Sequence, residues 1–320
     1  MASLKEIKNR ITSVQSTRKI TSAMKMVASS KLHHAQQMIE NMLPYEGMLE
    51  HILKTFLASD VDAKGSITQA RPVKTVALLA FSSNSSLCGG FNSNVLKLTQ
   101  KAIDGYQKKG VKVIVYPIGR KVAEKMQKLG VATAGNFMQL ADKPNSIECA
   151  EIGRQLQADF DNGIIDRVEM IYHHFKSAGS QILQNKTLLP IDIESAMDYD
   201  HFRDLKSTIA SEEATKYLQE HQKEREYENE KASALNDNFI VEPDMQTILS
   251  VLVPRYVNLM VYTALLDSNA SEHAARMVAM QTATDNADEL LRMLNLQYNK
   301  SRQQAITSEL LDIVGGSVNN

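Results

Sequence analysis

From Met277 onward the chain places apolar or small residues at Met277, Met280, Thr284, Ala287, Leu291, Leu294, Tyr298, Ser301 and Ala305, a strict alternation of steps of three and four. That spacing is the seam along which one helix packs on another helix rather than on a globular core. Proline is absent from Arg255 to the end, and the only glycines in that span are Gly315 and Gly316. One long helix is therefore predicted. Its last turn, with Ile306, Leu310, Leu311, Ile313 and Val314, is apolar where a solvated helix end is normally polar. This tip is expected to sit inside another body.

The N-terminus supplies a partner for the seam. Leu4, Ile7, Ile11 and Val14 repeat the spacing, and after a phase slip the stripe resumes at Ile20, Met24, Val27, Ala35, Met38 and Met42. Such a slip reads as a stutter, where a coiled coil relaxes its supercoil. Ser3, with Glu6 three residues on, is placed to cap the first turn. Pro44 and Gly47 are positioned to kink or interrupt the helix, although apolar spacing continues through Leu49, Ile52, Leu53 and Phe56. Helices of about 55 and about 70 residues would span roughly 80 and 105 Å. Neither is stable in water with its stripe exposed, so the two ends of the chain are predicted to pair antiparallel.

Between Val73 and Ile193 the pattern changes to short β-rich runs alternating with amphipathic helices. Strands are predicted at Thr75–Phe81, at Val111–Tyr116 (stopped by Pro117 and Gly119), weakly at Val131–Met138, at Arg167–Phe175 and at Gln181–Pro190. Helices are predicted from Asn92 or Ser93 to Lys109, over Arg120–Leu129 and over Ile147–Phe160. This alternation implies a mostly parallel sheet with right-handed crossovers, and the short Ser177-Ala178-Gly179 link makes one edge antiparallel. The expected fold class is α/β: a long antiparallel coiled coil of N- and C-terminal helices plus a Rossmann-like α/β domain with a mostly parallel sheet. The expected organisation is a helix over 1–58, the α/β domain over 73–193, a charged helical or disordered insertion over 199–237, and a C-terminal helix over 243–316. Pro243-Asp244 marks entry to the last helix, and Pro254 would bend it or frame its first turns.

No catalytic constellation assembles. Ser82–Gly90 follows the first strand, where a dinucleotide domain places its phosphate loop, but it lacks G-x-G-x-x-G and a Walker lysine, and no acid ends the second strand. A structural turn is expected. His33-His34 reads as solvated helix surface, and His173-His174 as a strand end with one ring out. Ser271-Glu272-His273 are consecutive helical residues pointing roughly 100° apart, so local helix hydrogen bonds are expected, with Arg276 pairing Glu272. Cys88 and Cys149 are too distant for a CxxC motif and read as free thiols in a reducing compartment. No run approaches the ~18 apolar residues of a membrane span. The 36 basic and 37 acidic residues nearly cancel, which argues against general nucleic-acid binding. Residues 1–42, however, hold seven Lys/Arg against Glu6 and Glu40, and an acidic partner surface fits that helix.

Motifs along the whole chain resemble the gamma subunits of bacterial F-type ATP synthases. They include Arg10–Val14, Lys19–Ala28, Leu87-Cys88-Gly89-Gly90-Phe91-Asn92, Ile118–Lys121, Glu242-Pro243, Ala270–Met277, Tyr298-Asn299-Lys300, Arg302-Gln303, Ile306-Thr307 and Ile313–Gly316. Asn84-Ser85-Ser86 stands where that family usually has Asp-Arg-Gly, and the insertion lacks the cysteine pair of the redox-controlled chloroplast form. The resemblance implies a central-stalk rotor that is not itself catalytic and has no cofactor or metal. It turns inside a ring of alpha and beta subunits and bears on epsilon and the membrane c-ring. It also implies a peripheral place on the cytoplasmic face of the bacterial inner membrane, attached only through the complex. Matching motif positions imply rotor–stator contacts at Met24, Lys25, Arg276, Arg302, Gln303 and Thr307, and bearing contacts at Leu310, Ile313 and Val314. Two other readings compete: a nucleotide-binding α/β enzyme with helical arms, and a static coiled-coil scaffold.

Overall fold

A computed structural model describes residues 4–59, 71–191, 241–242 and 244–318. The chain divides into two compact units, Met1–Ser30 with Arg276–Asn320, and Lys31–Ala275. Two long helices contribute to both: α1 (Leu4–Ser59) and α6 (Met245–Val318). Ser3 and the 199–237 insertion lie outside the described residues.

In the first unit the termini run side by side. Thr21 Oγ1 lies 2.8 Å from Thr284 Oγ1, and Arg18 pairs with Asp288. Partner numbers rise on one helix as they fall on the other, so the pair is antiparallel. On α6 all nine predicted seam residues from Met277 to Ala305 are buried or half-buried, and most residues between them are exposed. On α1 the predicted phase slip is absent. Ile20 and Val27 are 60% and 59% exposed. The three-and-four phase runs unbroken through the inward positions Leu4, Ile7, Ile11, Val14, Thr21, Lys25 and Ala28, with the exposed Arg18 at its rim, and the same phase continues in the second unit through Leu32, Ala35, Ile39, Met42, Glu46, Leu49 and Leu53. Polar side chains occupy three consecutive seam positions, which is why apolar spacing alone suggests a stutter. The heptad itself never breaks.

Pro44 and Pro254 both lie inside helices that continue past them. Asp244 caps α6, its Oδ1 accepting from Thr247 N at 2.8 Å, which satisfies one of the helix's orphan donors.

In the second unit a four-stranded sheet has the order β2-β1-β3-β4, built from β1 (Thr75–Phe81), β2 (Lys112–Ile118), β3 (Arg167–Ser177) and β4 (Ser180–Leu189). β1 pairs parallel with β2 and β3, and β3 pairs antiparallel with β4 across the Ala178-Gly179 turn. The sheet's two faces bury separate clusters. Val76, Leu78 and Ala80 pack under α2 (Phe91–Gln107) and α3 (Arg120–Leu129). Ala77, Leu79 and Phe81 pack against Ile152, Leu156 and Phe160 of α5 (Ser146–Asp161) and against Val257, Val261 and Leu265 of α6. A short helix, α4 (Met138–Asp142), precedes α5. Strands covered on both faces are apolar throughout, as TVALLAF is.

Pro117 does not stop β2; it pairs with Ala80 inside the strand. β2 is a sheet edge, where a missing N–H is tolerated. The weak third strand reduces to a single bridge from Val115 to Thr133, because Gly130 and Gly135 take positive φ on either side. Gly153 of α5 packs so closely on α6 that a Cβ there would lie 2.2 Å from Asn258 Oδ1. One stretch of α6 is apolar and long enough to cross a membrane, with mean hydropathy 1.5, but 56% of that window is buried in the fold. The expectation that no such run exists is thus corrected; the apolar stretch forms core.

Candidate functional site

Arg302, Gln303 and Thr307 are exposed because they fall between the seam positions Ser301 and Ala305 and beyond them. Thr307 Oγ1 donates to the backbone oxygen of Gln303 at 2.9 Å, while the residues Arg302 and Gln303 are open to solvent. Ile306, Leu310 and Leu311 beside them are 46%, 58% and 66% exposed. The side chains of Ile313 and Val314 lie outside the described residues, although their backbone is helical. The end of α6 therefore carries hydrogen-bond donors, one guanidinium and bare aliphatic groups on a stiff backbone. That arrangement can bind a surface.

Met24 and Lys25 on α1 and Arg276 on α6 are half-buried. With Thr21 opposite Thr284, the antiparallel register brings Lys25 to the turn around Met280, with Arg276 about one turn further along. The polar rung of Arg18, Thr21, Thr284 and Asp288 is a feature that the search for apolar spacing overlooks. Its sequence signal is a run of polar residues that keep the three-and-four phase.

At the C-terminal end of the sheet, where a parallel α/β fold often binds phosphates, the polar groups are spent internally. Asn92 folds the loop onto itself. Its Oδ1 accepts from Ser83 N at 3.0 Å, and its Nδ2 donates to Ser83 Oγ at 2.8 Å and to Ser85 O at 3.2 Å. The orphan N–H groups of α3 are taken too. Arg120 N donates to Asn84 Oδ1 at 2.8 Å and Val122 N to Ser82 Oγ at 3.0 Å. Asn84 Nδ2 donates to Met138 O and Asp142 Oδ2, both at 2.7 Å. The helix terminus that would receive an anion is thus filled by the chain's own side chains, and the predicted structural turn is what Ser82–Gly90 forms.

His33 and His34 are exposed as expected. His173 and His174 depart from expectation: both are 3% exposed. They stand inside β3, and because both sheet faces are covered, side chains on either face of the strand are buried. His173 stacks on Phe91, with ring centroids 4.5 Å apart, and burial holds its pKa down at about 4. His174 faces the other way and donates from Nδ1 to Asp267 Oδ2 on α6 at 2.7 Å. Ser271 also departs from expectation. Its hydroxyl donates to His173 O on the sheet at 3.2 Å rather than within its helix. Glu272 Oε2 lies 2.7 Å from His273 Nδ1. The His174–Asp267 and Ser271–His173 bonds fasten α6 to β3.

Among the described residues no three His, Cys, Asp or Glu side chains converge on a point that would hold a metal ion. Both cysteines are buried free thiols, and burial drives the Cys149 thiol up to about 12.

The family model described as ATP synthase matches residues 3–318. The chain is 49% identical over 319 residues to the ATP synthase gamma chain of Bacteroides fragilis, covering 99% of this chain and 100% of that one. It is 39% identical to the ATP synthase gamma chain of Flavobacterium psychrophilum, over 99% and 98% of the two chains. Among solved structures, it resembles a chain of the central stalk and c-ring of the Tetrahymena thermophila mitochondrial ATP synthase with a TM-score of 0.55 at 23% identity, covering 82% of this chain and 99% of that one. A chain of the Euglena gracilis mitochondrial ATP synthase rotor gives a TM-score of 0.55 at 18% identity, covering 95% and 98%.

Proposed function

This chain belongs to the gamma-chain family of ATP synthases, and on that premise we propose that it is the central-stalk rotor of a proton-translocating F-type ATP synthase, carrying torque without catalysing the reaction itself. The observation that carries this reading is the antiparallel terminal pair, whose seam is closed while the end of α6 leaves Ile306, Leu310 and Leu311 bare beside Arg302 and Gln303. Exposed aliphatic groups make contacts without directional bonds, so a partner can turn past them. The polar groups supply contacts that depend on angle.

The partners are a ring of alpha and beta subunits around the helix pair, and the epsilon subunit and c-ring at the α/β domain. The complex holds the chain at the cytoplasmic face of the bacterial inner membrane. Arg302, Gln303, Thr307, Met24, Lys25 and Arg276 contact the stator, and Leu310, Ile313 and Val314 act as the bearing. The functional parts are 1–58 with 243–316 as the rotor helices, 73–193 as the α/β domain and 199–237 as an insertion. An asymmetric rotor drives each catalytic site by stabilising a different conformation at each angle, which is the differential interaction a population shift requires.

The test is reconstitution with alpha and beta subunits and the membrane sector. Arg302→Ala with Gln303→Ala is expected to lower proton-coupled ATP turnover several-fold while the helicity of the isolated chain stays unchanged. Unchanged turnover removes the stator assignment from these residues. Failure of the chain to enter the complex removes the rotor reading.

A further inference from the structure

β1 and β2 run parallel, and the helix after each runs back, so the starts of the strands and the ends of α2 and α3 meet at one edge of the sheet. Lysines gather there. Lys112 N donates to Lys74 O at 2.9 Å, which sets these two residues side by side at the strand starts. Lys108 and Lys109 lie in the tight turn between α2 and β2, and Lys125 and Lys128 lie near the end of α3. All but the half-buried Lys125 are exposed.

From Lys97 to Lys128 the chain holds nine basic residues against Asp104 and Glu124, a net +7 in a protein whose total is −1, although Arg120 and Lys121 lie at the opposite end of the sheet. Among the described residues, the exposed Asp161 at the end of α5 offsets this charge in part. Glu124 sits 3.8 Å from Lys121, and Asp104 is exposed on α2. Asp166, at the same sheet end, is engaged by Arg71 at 2.9 Å and by the amides of Lys74 and Thr75. Lysines opposing a helix dipole or guarding an edge strand account for two or three of these positions, not six.

We propose that this lysine edge docks on an anionic phospholipid surface. Eight of the nine basic residues are lysine, compact and strongly hydrated point charges, and a cluster of several such charges is the composition that an anionic lipid surface attracts. Leu129, 42% exposed beside Lys128, adds an aliphatic contact at the interface. Each lysine close to such a surface contributes about a fivefold gain in partition, equivalent to about 1 kcal/mol. The inference needs only the charge map of the α/β unit and holds whether or not the helix pair carries torque.

The test is vesicle flotation of the full-length chain with neutral phosphatidylcholine and with phosphatidylcholine containing about one-third phosphatidylglycerol, at low and high salt. Retention is expected on the anionic vesicles alone and is lost at high salt. The variant Lys108→Gln/Lys109→Gln/Lys112→Gln/Lys128→Gln should bind at least tenfold more weakly with an unchanged circular dichroism spectrum. The corresponding four Lys→Arg changes keep the charge and should keep binding, so a loss in that variant overturns the proposal. A control with Lys5→Gln/Lys8→Gln/Lys31→Gln should bind like the parent. The proposal is also overturned by absence of retention on anionic vesicles, by undiminished binding of the Gln variant, by an equal loss in the N-terminal control, or by capture on DNA or polyglutamate without capture on vesicles.

Discussion

Thr21 and Thr284 meet hydroxyl to hydroxyl at 2.8 Å across the antiparallel helix pair, at seam positions with Val14 and Ala28 one heptad away on the first helix and Met280 and Ala287 adjacent on the second. Each hydroxyl carries one proton, so one threonine donates to the other while the second donates within its own helix, either Thr21 to Arg18 O at 3.0 Å or Thr284 to Met280 O at 2.8 Å. Replacing one threonine by valine leaves the other without its cross-helix partner and is expected to cost about 1 kcal/mol. Replacing both should recover most of that loss, since an apolar pair of the same shape is close to neutral. A double-mutant cycle by thermal unfolding of the full chain measures the difference. Strictly additive losses would mean that the two hydroxyls are not coupled.

His173 sets an acid limit on the α/β unit. Its pKa is about 4 in the folded chain against 6.5 for a solvent-exposed ring, so below pH 6.5 the unfolded chain takes up the proton first. The stabilising contribution of the neutral ring is complete above pH 6.5 and is lost as pH falls toward 4. The loss totals about 3 kcal/mol. His173→Phe, which keeps an aromatic ring against Phe91, should flatten the denaturant midpoint between pH 6.5 and 4. An unchanged slope would place the acid sensitivity elsewhere.

Glu169, 5% exposed, is held by the Tyr106 hydroxyl, by Arg167 Nε at 3.0 Å and by Asn185 Nδ2 at 3.0 Å. Burial and the neighbouring Glu169 carboxylate raise the Tyr106 pKa to about 12, so the phenol stays a donor through the physiological range. Tyr106→Phe removes a bond to a charged acceptor and is expected to cost about 1.5–3 kcal/mol. In the parent chain, stability should also fall as pH climbs from 10 to about 12, because the unfolded phenol ionises first. Alkaline denaturation curves of the two chains should converge at high pH.

Gly119 and Gly163 form a matched pair of glycine tests. Both take positive φ, 99° and 72°, but a Cβ on Gly119 would lie 2.0 Å from Ser82 O while one on Gly163 meets nothing within 4 Å. Gly163→Ala should cost about 1 kcal/mol, the price of a left-handed alanine. Gly119→Ala must also push the β1 loop away from α3 and should cost about 3 kcal/mol or more. Urea unfolding distinguishes the two, and equal losses would show that the Ser82 contact yields freely.

The C-terminal seam was legible residue by residue, because each of its nine seam positions from Met277 to Ala305 is apolar or able to pack and none carries a charge. The N-terminal seam was legible only in part. Arg18, Thr21 and Lys25 hold the phase without being apolar, so a reading based on hydrophobicity jumped to Ile20 and Val27, which face outward. Strand identity in the sheet was plain wherever both faces are covered, but Pro117 looked like a terminator because edge status cannot be seen in one strand's own residues. The paired histidines were misplaced for a related reason: only the layers above and below a strand decide whether alternate side chains are both enclosed. Arg302, Gln303 and Thr307 have no signature in composition or spacing, since exposed polar residues on a helix are ordinary; only the family motif singles them out. The lysine edge was countable in the sequence, but its concentration at one place depends on the backtracking of α2 and α3.

The polar rung in an otherwise apolar seam has a consequence for assembly. A uniform aliphatic seam would tolerate sliding of one helix by seven residues, with each greasy contact exchanged for a similar one. With threonine matched to threonine and Arg18 matched to Asp288, any such shift sets each hydroxyl against an aliphatic side chain and undoes the half-exposed ion pair. Two segments separated by more than 250 positions in the chain are thereby given a single axial alignment.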